Sequence, residues 1–195
     1  MEIYLLRHGE TIWNRQRRMQ GRLDSPLTLK GVRQAEAMGR LLKRTIGDGQ
    51  GHKMLASPLP RAWQTATIAA ETMGYRADDI ERVELLTEMT WGDWDGLTAE
   101  EIEARDAELW QARINDRWTV APPGGGETQQ DIVDRAARFL RSRQMGEKLI
   151  VVAHGAFGRA LRVAYLQAEP ETMLTMAEPH DAIFYLANNG VTQLD

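Results

Sequence analysis

The chain has 195 residues, a formal net charge of −4 and no cysteine, and 43% of its residues are hydrophobic, as expected for one globular domain with a sizeable core. The acidic balance argues against binding of nucleic acid, and the lack of cysteine excludes disulfides, thiol nucleophiles and cysteine-based metal sites. No apolar run is long enough to span a bilayer and the N-terminus has no signal-peptide pattern, so we expect a cytoplasmic protein without membrane contact.

The first predicted element is an apolar run at residues 3–6, which is typical of a short buried strand. Arg7, His8 and Gly9 follow it, where the chain must turn. Ligand-binding groups collect at the carboxyl ends of strands in open α/β sheets. Arg has a planar fork suited to phosphate or carboxylate, and His can act as a nucleophile or as an acid–base group. Taken alone, these residues fit equally well a turn with a surface Arg and a hydrogen-bonded His.

A polar stretch at residues 13–21 has no clean period and is interpreted as a loop or a ragged helix start. Thr28 is a predicted N-cap, because its hydroxyl can accept a hydrogen bond from the first turn of a helix. The apolar positions that follow are three and four residues apart, which predicts a helix that ends in a glycine-rich loop at residues 47–51. This apolar face consists of Val32, Ala35, Gly39 and Leu42.

Residues 53–56 predict a second strand, and Pro60 suits the first turn of the helix that follows. Arg61 therefore lies at a strand-to-helix junction, the same topological position as His8. A cation at a helix N-terminus opposes the helix dipole, whereas an anion brought there is favoured by both the Arg and the amide groups. We therefore predict that Arg61 binds an anion. The apolar face of this helix contains Ala62, Ala66, Ala69 and Met73.

Residues 83–86 predict a third strand, which places Glu88 at its carboxyl end. The loop after Glu88 contains two glycines and two tryptophans, a composition typical of a structured loop. Tryptophans in this part of the chain either line the mouth of a substrate site or belong to the core, and the core is the commoner position for aromatic side chains. The four tryptophans are Trp91, Trp94, Trp110 and Trp118.

Thr98, with a Glu three residues later, forms a predicted capping box, and helical segments are expected from there to about Trp118. A stretch rich in Pro and Gly at residues 121–126 is interpreted as a loop over one edge of the domain. We therefore expect a single domain over residues 1–195, with a helical cover segment around residues 91–123.

Thr128 is the predicted cap of a further helix. Its buried face is expected to contain Ile132, Ala136, Phe139 and Leu140. Residues 149–153 are the clearest strand in the chain, and they are apolar on both faces, as expected of a central strand in a parallel sheet. His154 and Gly155 follow this strand, and residues 156–166 predict the next helix.

The last predicted elements are a short helix at residues 170–176 and a hairpin that turns at Asn189 and Gly190. Strands that alternate with helices indicate the α/β class with a parallel sheet. His52 and His180 do not follow predicted strands, and they are interpreted as surface or hydrogen-bonded side chains.

Four strand-like runs each deliver polar groups at a carboxyl end: Arg7 with His8, Arg61, Glu88 and His154. Together they are suited to phosphoryl transfer. Two arginines can neutralise and hold a phosphomonoester, whose charge is about −1.5 to −2 at neutral pH. An imidazole can act as nucleophile, and a carboxylic acid can protonate the leaving oxygen. Zinc is the chemical alternative, but the four histidines of the chain lack the spacing of a metal site.

These residues lie within a longer ordered set of motifs. They are Leu-Arg-His-Gly-Glu-Thr at 6–11, Trp-Asn at 13–14, Asp-Ser-Pro-Leu-Thr at 24–28, Ser-Pro-Leu-Pro-Arg-Ala at 57–62, Glu88 with Gly-Asp-Trp-Asp-Gly at 92–96, and Ala-His-Gly at 153–155. The set resembles the histidine phosphatase superfamily, in its phosphoglycerate-mutase-like branch, over nearly the whole chain. The resemblance implies a three-layer α/β/α sandwich with a mostly parallel central sheet.

The resemblance also implies a role for each matching residue. His8 corresponds to the nucleophile that becomes phosphohistidine, and Glu88 to the proton donor that later acts as a base for water. Arg7, Arg61 and His154 correspond to the phosphate pocket. Residues assigned to substrate binding are Arg7, Asn14, Gln20, Gly21, Arg61, His154 and Gly155. No metal or other cofactor is implied, because two arginines and a second imidazole supply the positive charge.

Some residues depart from this pattern or extend it. Asp95 stands where relatives often carry Glu, and we interpret it as a structural position that leaves the mechanism intact. Five arginines between positions 7 and 22 form a basic island: Arg7, Arg15, Arg17, Arg18 and Arg22. Within it, Arg17, Arg18 and Arg22 either contact an anionic part of the substrate or belong to a solvated loop.

Three functions are weighed. The first is a phosphatase that hydrolyses small phosphomonoesters, without a cofactor, through phosphohistidine. The second is a mutase that returns the phosphoryl group to its substrate, and the third is a non-enzymatic binder of phosphorylated ligands. Mutases of the family have added segments that close the site, whereas here only residues 91–123 are available as a cover, which favours the phosphatase. Sugar phosphates, phosphoglycerates, α-ribazole phosphate and phosphoprotein all remain as candidate substrates.

Overall fold

The computed structural model describes residues 1–195, and its centre is a sheet of six strands in the order β3-β2-β4-β1-β5-β6. Strands β1 to β4 run parallel to one another. Strand β5 pairs antiparallel with β1, and β6 pairs antiparallel with β5. The strands are β1 (Glu2–Arg7), β2 (Lys53–Ala56), β3 (Glu81–Arg82), β4 (Lys148–Ala153), β5 (Ile183–Ala187) and β6 (Gly190–Leu194). Since the parallel strands run in one direction, their carboxyl ends share one edge of the sheet.

Six α-helices cover the sheet and the edge where its parallel strands end. They are α1 (Ile12–Arg15), α2 (Leu29–Ile46), α3 (Pro60–Met73), α4 (Ala99–Asn115), α5 (Gln129–Arg141) and α6 (Gly155–Leu166). A 3₁₀ helix spans Pro170–Leu174. No helix in the structure has both the length and the apolar character of a membrane span.

The side chains of the central strands alternate between two apolar cores, one on each face of the sheet. On β4, Leu149 and Val151 belong to the core under α5 and α6, while Ile150 and Val152 belong to the core under α2 and α3. Both faces of this strand are buried, because helices cover the sheet from both sides. The prediction of a three-layer α/β/α sandwich with a mostly parallel central sheet is confirmed.

Most predicted helix starts are confirmed by their capping contacts. The Thr28 hydroxyl accepts a hydrogen bond from the amide of Gly31 at 3.0 Å. Thr98 and Thr128 each form a capping box with the acidic residue three positions later. In the apolar stripe of α2, Met38 is fully buried and Val32 only partly so. The reason is that the buried positions of α2 recur at 31, 34, 35, 38, 39 and 42, and position 32 lies beside this row.

The start of α2 also lies close to the turn after β1. A Cβ atom on Gly9 would lie 2.3 Å from the carbonyl oxygen of Gly31, and a Cβ on Gly31 would lie 2.2 Å from the carbonyl oxygen of Glu10. Two glycines therefore allow two backbones to touch at this point. The contact sets the position of the turn that carries His8.

Two predicted elements are wrong in detail. Residues 83–86 are not a strand: β3 ends at Arg82, and Glu84–Leu86 form a 3₁₀ helix. Strand β2 ends at Ala56, where the chain turns toward α3, so no strand edge is left with which those residues could pair. In the final hairpin, Asn188 and Asn189 are the two turn residues, with φ of 51° and 56°, and Gly190 already pairs with β5. Asn tolerates the left-handed conformation that such a turn requires.

The segment between β3 and α5 is less regular than predicted. Helix α4 ends at Asn115 rather than near Trp118, and it is interrupted at Asp106, which has non-helical angles of φ −134° and ψ 47°. Trp94 explains the interruption: its buried indole donates to the Asp106 carboxylate at 2.6 Å. This contact draws the Asp106 side chain toward the core and divides α4 into two arms.

Candidate active site

A cavity of about 480 Å³ lies at the carboxyl edge of the parallel strands. Its wall includes eight of the nine residues that the sequence predicts for the site: Arg7, His8, Asn14, Gln20, Gly21, Arg61, Glu88 and Gly155. The ninth, His154, is fully buried, with its ring 5.2 Å from that of His8. The structure therefore brings all nine predicted residues together.

His8 follows β1 directly, and its imidazole is almost completely buried. Its Nδ1 lies 2.8 Å from the carbonyl oxygen of Gly9. A carbonyl can only accept, so Nδ1 carries the proton and Nε2 has a free lone pair. Burial, reinforced by the charges of Arg61 and Arg7, lowers the pKa of His8 well below its usual value. The imidazole is therefore neutral at pH 7, as a nucleophile must be.

His154 follows β4 in the same way and is fully buried. Its Nε2 lies 2.7 Å from the hydroxyl oxygen of Ser57, at the end of β2. Its Nδ1 is buried without a hydrogen-bond partner. Burial and the charge of Arg61 lower the pKa of His154 well below its usual value. This second neutral imidazole thus keeps one unused nitrogen beside the nucleophile.

The forks of Arg7 and Arg61 are held by backbone carbonyl groups. Arg7 donates to the carbonyl of Glu178 at 2.5 Å, and Arg61 donates to those of Leu23 and Gly21, each at 2.7 Å. The Nε atom of each arginine is buried without a partner. Burial is the main cause that lowers the pKa of both guanidinium groups, yet arginine remains protonated at neutral pH. Arg61 also lies 3.6 Å from the carboxylate of Asp24, whereas Arg7 forms no ion pair. Most of the bonds that fix these two cations come from neutral carbonyl groups, which leaves much of their charge available to an anion.

Glu88 reaches the cavity by a route that differs from the prediction. It does not follow a strand directly, because the 3₁₀ helix Glu84–Leu86 lies between β3 and Glu88. Its carboxylate accepts hydrogen bonds from the amides of Ala156 and Phe157, at 3.1 and 3.2 Å. Glu88 is thus fixed at the N-terminus of α6, where the helix dipole favours a carboxylate.

Arg135 holds the Glu88 segment in place, and it was not predicted from the sequence. Its buried guanidinium donates to the carbonyls of Thr87 and Glu88, at 2.6 and 3.3 Å, and pairs with the carboxylate of Glu127 at 3.0 Å. The signal was present, since Arg135 stands within the apolar stripe of α5. A charged residue in such a stripe is buried only when it is paired.

A second unpredicted support comes from the loop before β5. The Nδ1 of His180 donates to the carbonyl oxygen of His8 at 2.7 Å, and the two rings are 5.5 Å apart. The carbonyl of Glu178 holds Arg7, while its buried carboxylate is paired with Arg162. Burial raises the pKa of Glu178 to about 7 and lowers that of His180 to about 4. His180 is hydrogen-bonded as predicted, but it lies next to the nucleophile.

Gly21 is a site residue because of its backbone. Its φ is +51°, and a Cβ atom there would lie 1.5 Å from a carboxylate oxygen of Asp95. That carboxylate accepts from the amide of Trp91 at 2.8 Å and from the amide of Arg22 at 3.2 Å. Asp95 therefore organises the loop after Glu88 and packs it against Gly21, in agreement with its interpretation as a structural position.

The remaining wall of the cavity comes mainly from α4, from the loop before it and from α6. Trp91 and Trp110 line the cavity, whereas Trp94 is fully buried and Trp118 packs against a core. Of Arg17, Arg18 and Arg22, only Arg18 reaches the wall, and it is paired with Glu101 at 2.7 Å. Three further arginines line the cavity that the sequence did not indicate: Arg113, Arg117 and Arg159.

Comparison with known proteins is consistent along the chain. The sequence model described as "Histidine phosphatase superfamily (branch 1)" matches residues 3–186. Phosphoglycerate mutase-like protein 4 of Arabidopsis thaliana is 34% identical over 87% of this chain and 71% of its own. A metal-independent phosphoserine phosphatase of the same plant is 33% identical over 86% of this chain and 69% of its own length. The structure of the α-ribazole phosphatase of Shigella flexneri is 26% identical, with a TM-score of 0.82 over 98% of this chain and 94% of that one.

Proposed function

The chain belongs to branch 1 of the histidine phosphatase superfamily and is an enzyme of that family, and we propose that it hydrolyses small phosphomonoesters through a phosphohistidine on His8. One observation carries the proposal. The Nδ1 of His8 is committed to the carbonyl of Gly9, so its Nε2 lone pair is free, in a buried neutral imidazole next to Arg7 and Arg61.

In the first step, Arg7 and Arg61 hold the non-bridging oxygens of the phosphoryl group. The lone pair of His8 Nε2 attacks phosphorus, and the bond between phosphorus and the ester oxygen breaks. The carboxyl group of Glu88 gives its proton to the leaving oxygen, so the alcohol departs neutral. His154 donates from Nδ1 to a phosphoryl oxygen, because Ser57 supplies a hydroxyl donor to its Nε2.

In the second step, water replaces the alcohol. The Glu88 carboxylate removes a proton from the water, whose oxygen attacks phosphorus. The bond between phosphorus and Nε2 breaks, its electron pair returns to the imidazole of His8, and inorganic phosphate leaves. In both steps Arg7 and Arg61 stabilise the negative charge on the non-bridging oxygens of the phosphoryl group in the transition state. The balance therefore needs no metal or other cofactor.

Two further proposals concern the extent of the domain and the location of the protein. We propose that residues 1–195 act as one domain, in which residues 91–123 cover the cavity. We also propose a cytoplasmic location, since a chain without cysteine suits a reducing compartment.

A mutase is the second candidate function, because relatives include a protein named phosphoglycerate mutase-like. The short cover favours the phosphatase, since it leaves water a path to the phosphohistidine.

The test is to trap the intermediate. Wild-type protein incubated with ³²P-labelled ester and quenched in alkali should carry an acid-labile label, and His8→Ala should carry none and lose activity by about 10³-fold or more. His52→Ala is the matched control, because His52 packs on Tyr4 at the far end of the sheet. Label or turnover retained in His8→Ala would contradict the assignment of the nucleophile.

A second readout separates phosphatase from mutase. Inorganic phosphate and free alcohol should appear in equal amounts, and the rates should be the same with and without EDTA. Transfer of the label to an added alcohol in preference to water would instead identify a mutase. Loss of activity with EDTA would contradict the metal-independent mechanism.

A further inference from the structure

The wall of the cavity carries far more positive than negative charge. Six of its side chains are arginines and only one, Glu88, is a carboxylate. The proposed chemistry uses Arg7 and Arg61, and Arg18 is neutralised by Glu101. Three arginines, Arg113, Arg117 and Arg159, are left without a role in phosphoryl transfer.

Arg113 is a buried cation with no counter-ion. Its side chain is 2% exposed, and none of the ion pairs in the structure includes it. It donates to the carbonyl of Val120 at 2.5 Å and lies over the ring of Trp91, while its Nε is buried without a partner. Burial and the charge of Arg117 lower the pKa of Arg113 to about 10, so it is still protonated at neutral pH. Such burial is unfavourable unless an anion compensates it.

Arg159 gives a second, independent observation. It lies on α6 one turn after Gly155, forms no ion pair, and has a buried Nε without a partner. It is close enough to Arg7 for its charge to lower the pKa of that group. Arg7 and Arg159 thus repel each other near the phosphate pocket, and the nearby carboxylate of Glu178 is already paired with Arg162.

A structural role explains the presence of Arg113 in the cavity wall only in part, and that of Arg159 not at all. Arg113 fastens the loop before α5 through the carbonyls of Val120 and Glu127. These bonds fix the loop, but they leave the charge of Arg113 without a counter-ion in the interior. Arg159 makes no such bond at all. Neither arginine is therefore explained by packing alone.

We propose that the enzyme acts on phosphomonoesters which carry a second anionic group, a carboxylate or another phosphate, bound by Arg113, Arg117 and Arg159 while Arg7 and Arg61 hold the transferred phosphoryl group. The subsite rests on the proposed phosphatase function, since it orients the substrate of that reaction. A cavity of about 480 Å³ admits a small metabolite with both groups. Guanidinium forks suit either anion, because both present two oxygens in one plane.

Pairs of substrates that differ in one group test the proposal. Phosphoserine and phosphoethanolamine differ only by the carboxylate, and 1,3-propanediol bisphosphate and 3-hydroxypropyl phosphate differ only by the second phosphate. In at least one pair, kcat/KM should be about 10-fold or more higher for the member with the second anionic group, mainly through a lower KM. The pair with the larger ratio identifies the second group as carboxylate or phosphate.

Variants connect that ratio to the arginines. Arg159→Met and Arg117→Met should each reduce the ratio by about 10-fold, while Arg44→Met, at an exposed position on α2, should leave it unchanged. Neither tested side chain is fully buried, so loss of folding is not expected. Circular dichroism confirms that the variants are folded.

The outcomes separate the subsite from the phosphatase itself. Hydrolysis of all four esters at similar kcat/KM, or a wild-type ratio that persists in both arginine variants, overturns the subsite and leaves the phosphatase standing. Absence of hydrolysis of every ester overturns both.

Discussion

Two regions build the wall of the cavity, and they hold their side chains in different ways. At the phosphate end, His8, Arg61 and His154 follow strands or begin a helix, and each is buried. At the cover end, Arg117 and Trp110 come from a helix that is interrupted at Asp106 and from its flanking loop. Most groups that do chemistry are thus placed at strand ends or helix starts, whereas Arg113 and Arg117 of the proposed subsite belong to the interrupted helix and its flanking loop. Arg159, on α6, is the member of that subsite that lies outside the cover.

The difference has a physical reason. Every cation of the phosphate end is fixed by backbone carbonyls, whose positions are set by the sheet and the helices that follow it. The cover end is joined to it where Asp95 packs against Gly21 and where Met19 exchanges backbone hydrogen bonds with Gly96 and Leu97. Changes at the cover can therefore alter which ester is accepted without moving the reacting groups. The following predictions test whether the two regions are separate in this sense.

Glu88→Gln should have the largest effect. Gln keeps the shape but has no proton to give, so kcat for esters of poor leaving groups should fall by about 10²- to 10⁴-fold. p-Nitrophenyl phosphate should be affected much less, because its leaving group departs without protonation. Steady-state rates on both esters measure the difference. Equal slowing of the two would argue against the proton donor.

Arg61→Met should have the second largest effect on activity. It removes a buried cation that the carbonyls of Leu23 and Gly21 aim at the cavity, and kcat/KM should fall by about 10²- to 10³-fold for every phosphomonoester alike. Comparison with Arg44→Met controls for the loss of an arginine. A fall confined to esters with a second anionic group would mean that Arg61 belongs to substrate selection, and the two regions would not be separate.

Gly21→Ala should affect the joint between the regions. Its Cβ atom would meet Asp95 at 1.5 Å, in a backbone conformation with φ of +51°, and the free energy of unfolding should fall by about 2–3 kcal/mol. Gly51→Ala is the matched control, because φ is +82° there but nothing lies within 4 Å. Urea denaturation measures both. Equal losses would mean that the contact with Asp95 adds nothing to the strain of the backbone.

The last prediction concerns the pH dependence of the phosphate end, where no side chain is replaced. The pKa values of His8 and His154 are lowered, chiefly by burial, so below about pH 6.5 the unfolded chain binds more protons than the native one. The free energy of unfolding should therefore decrease as pH falls, by about 1.4 kcal/mol per pH unit for each histidine, until the lowered pKa is reached. Nitrogen NMR of the two rings checks this directly. Titration midpoints near 6.5 would contradict it.

The sequence predicted most of the fold because strands and caps leave local signals. The apolar run of β4 and the capping residues Thr28, Thr98 and Thr128 were each correct. Residues 83–86 failed because a short apolar run forms a strand only where a neighbouring edge is free, and β2 ends too early to provide one. The interruption of α4 was not predicted, because it depends on the indole of Trp94, which is close to Asp106 only in the folded protein.

By itself, the sequence determined which polar residues follow strands, and hence that Arg7, His8, Arg61 and His154 meet at one edge of the sheet. Only the tertiary structure decided what holds and surrounds them: the carbonyl of Glu178 on Arg7, His180 on the backbone of His8, and the uncompensated charge of Arg113. The reason is that periodicity and capping are local properties of the chain. Contacts to backbone carbonyls, and the absence of a counter-ion, depend on distances between residues far apart in sequence.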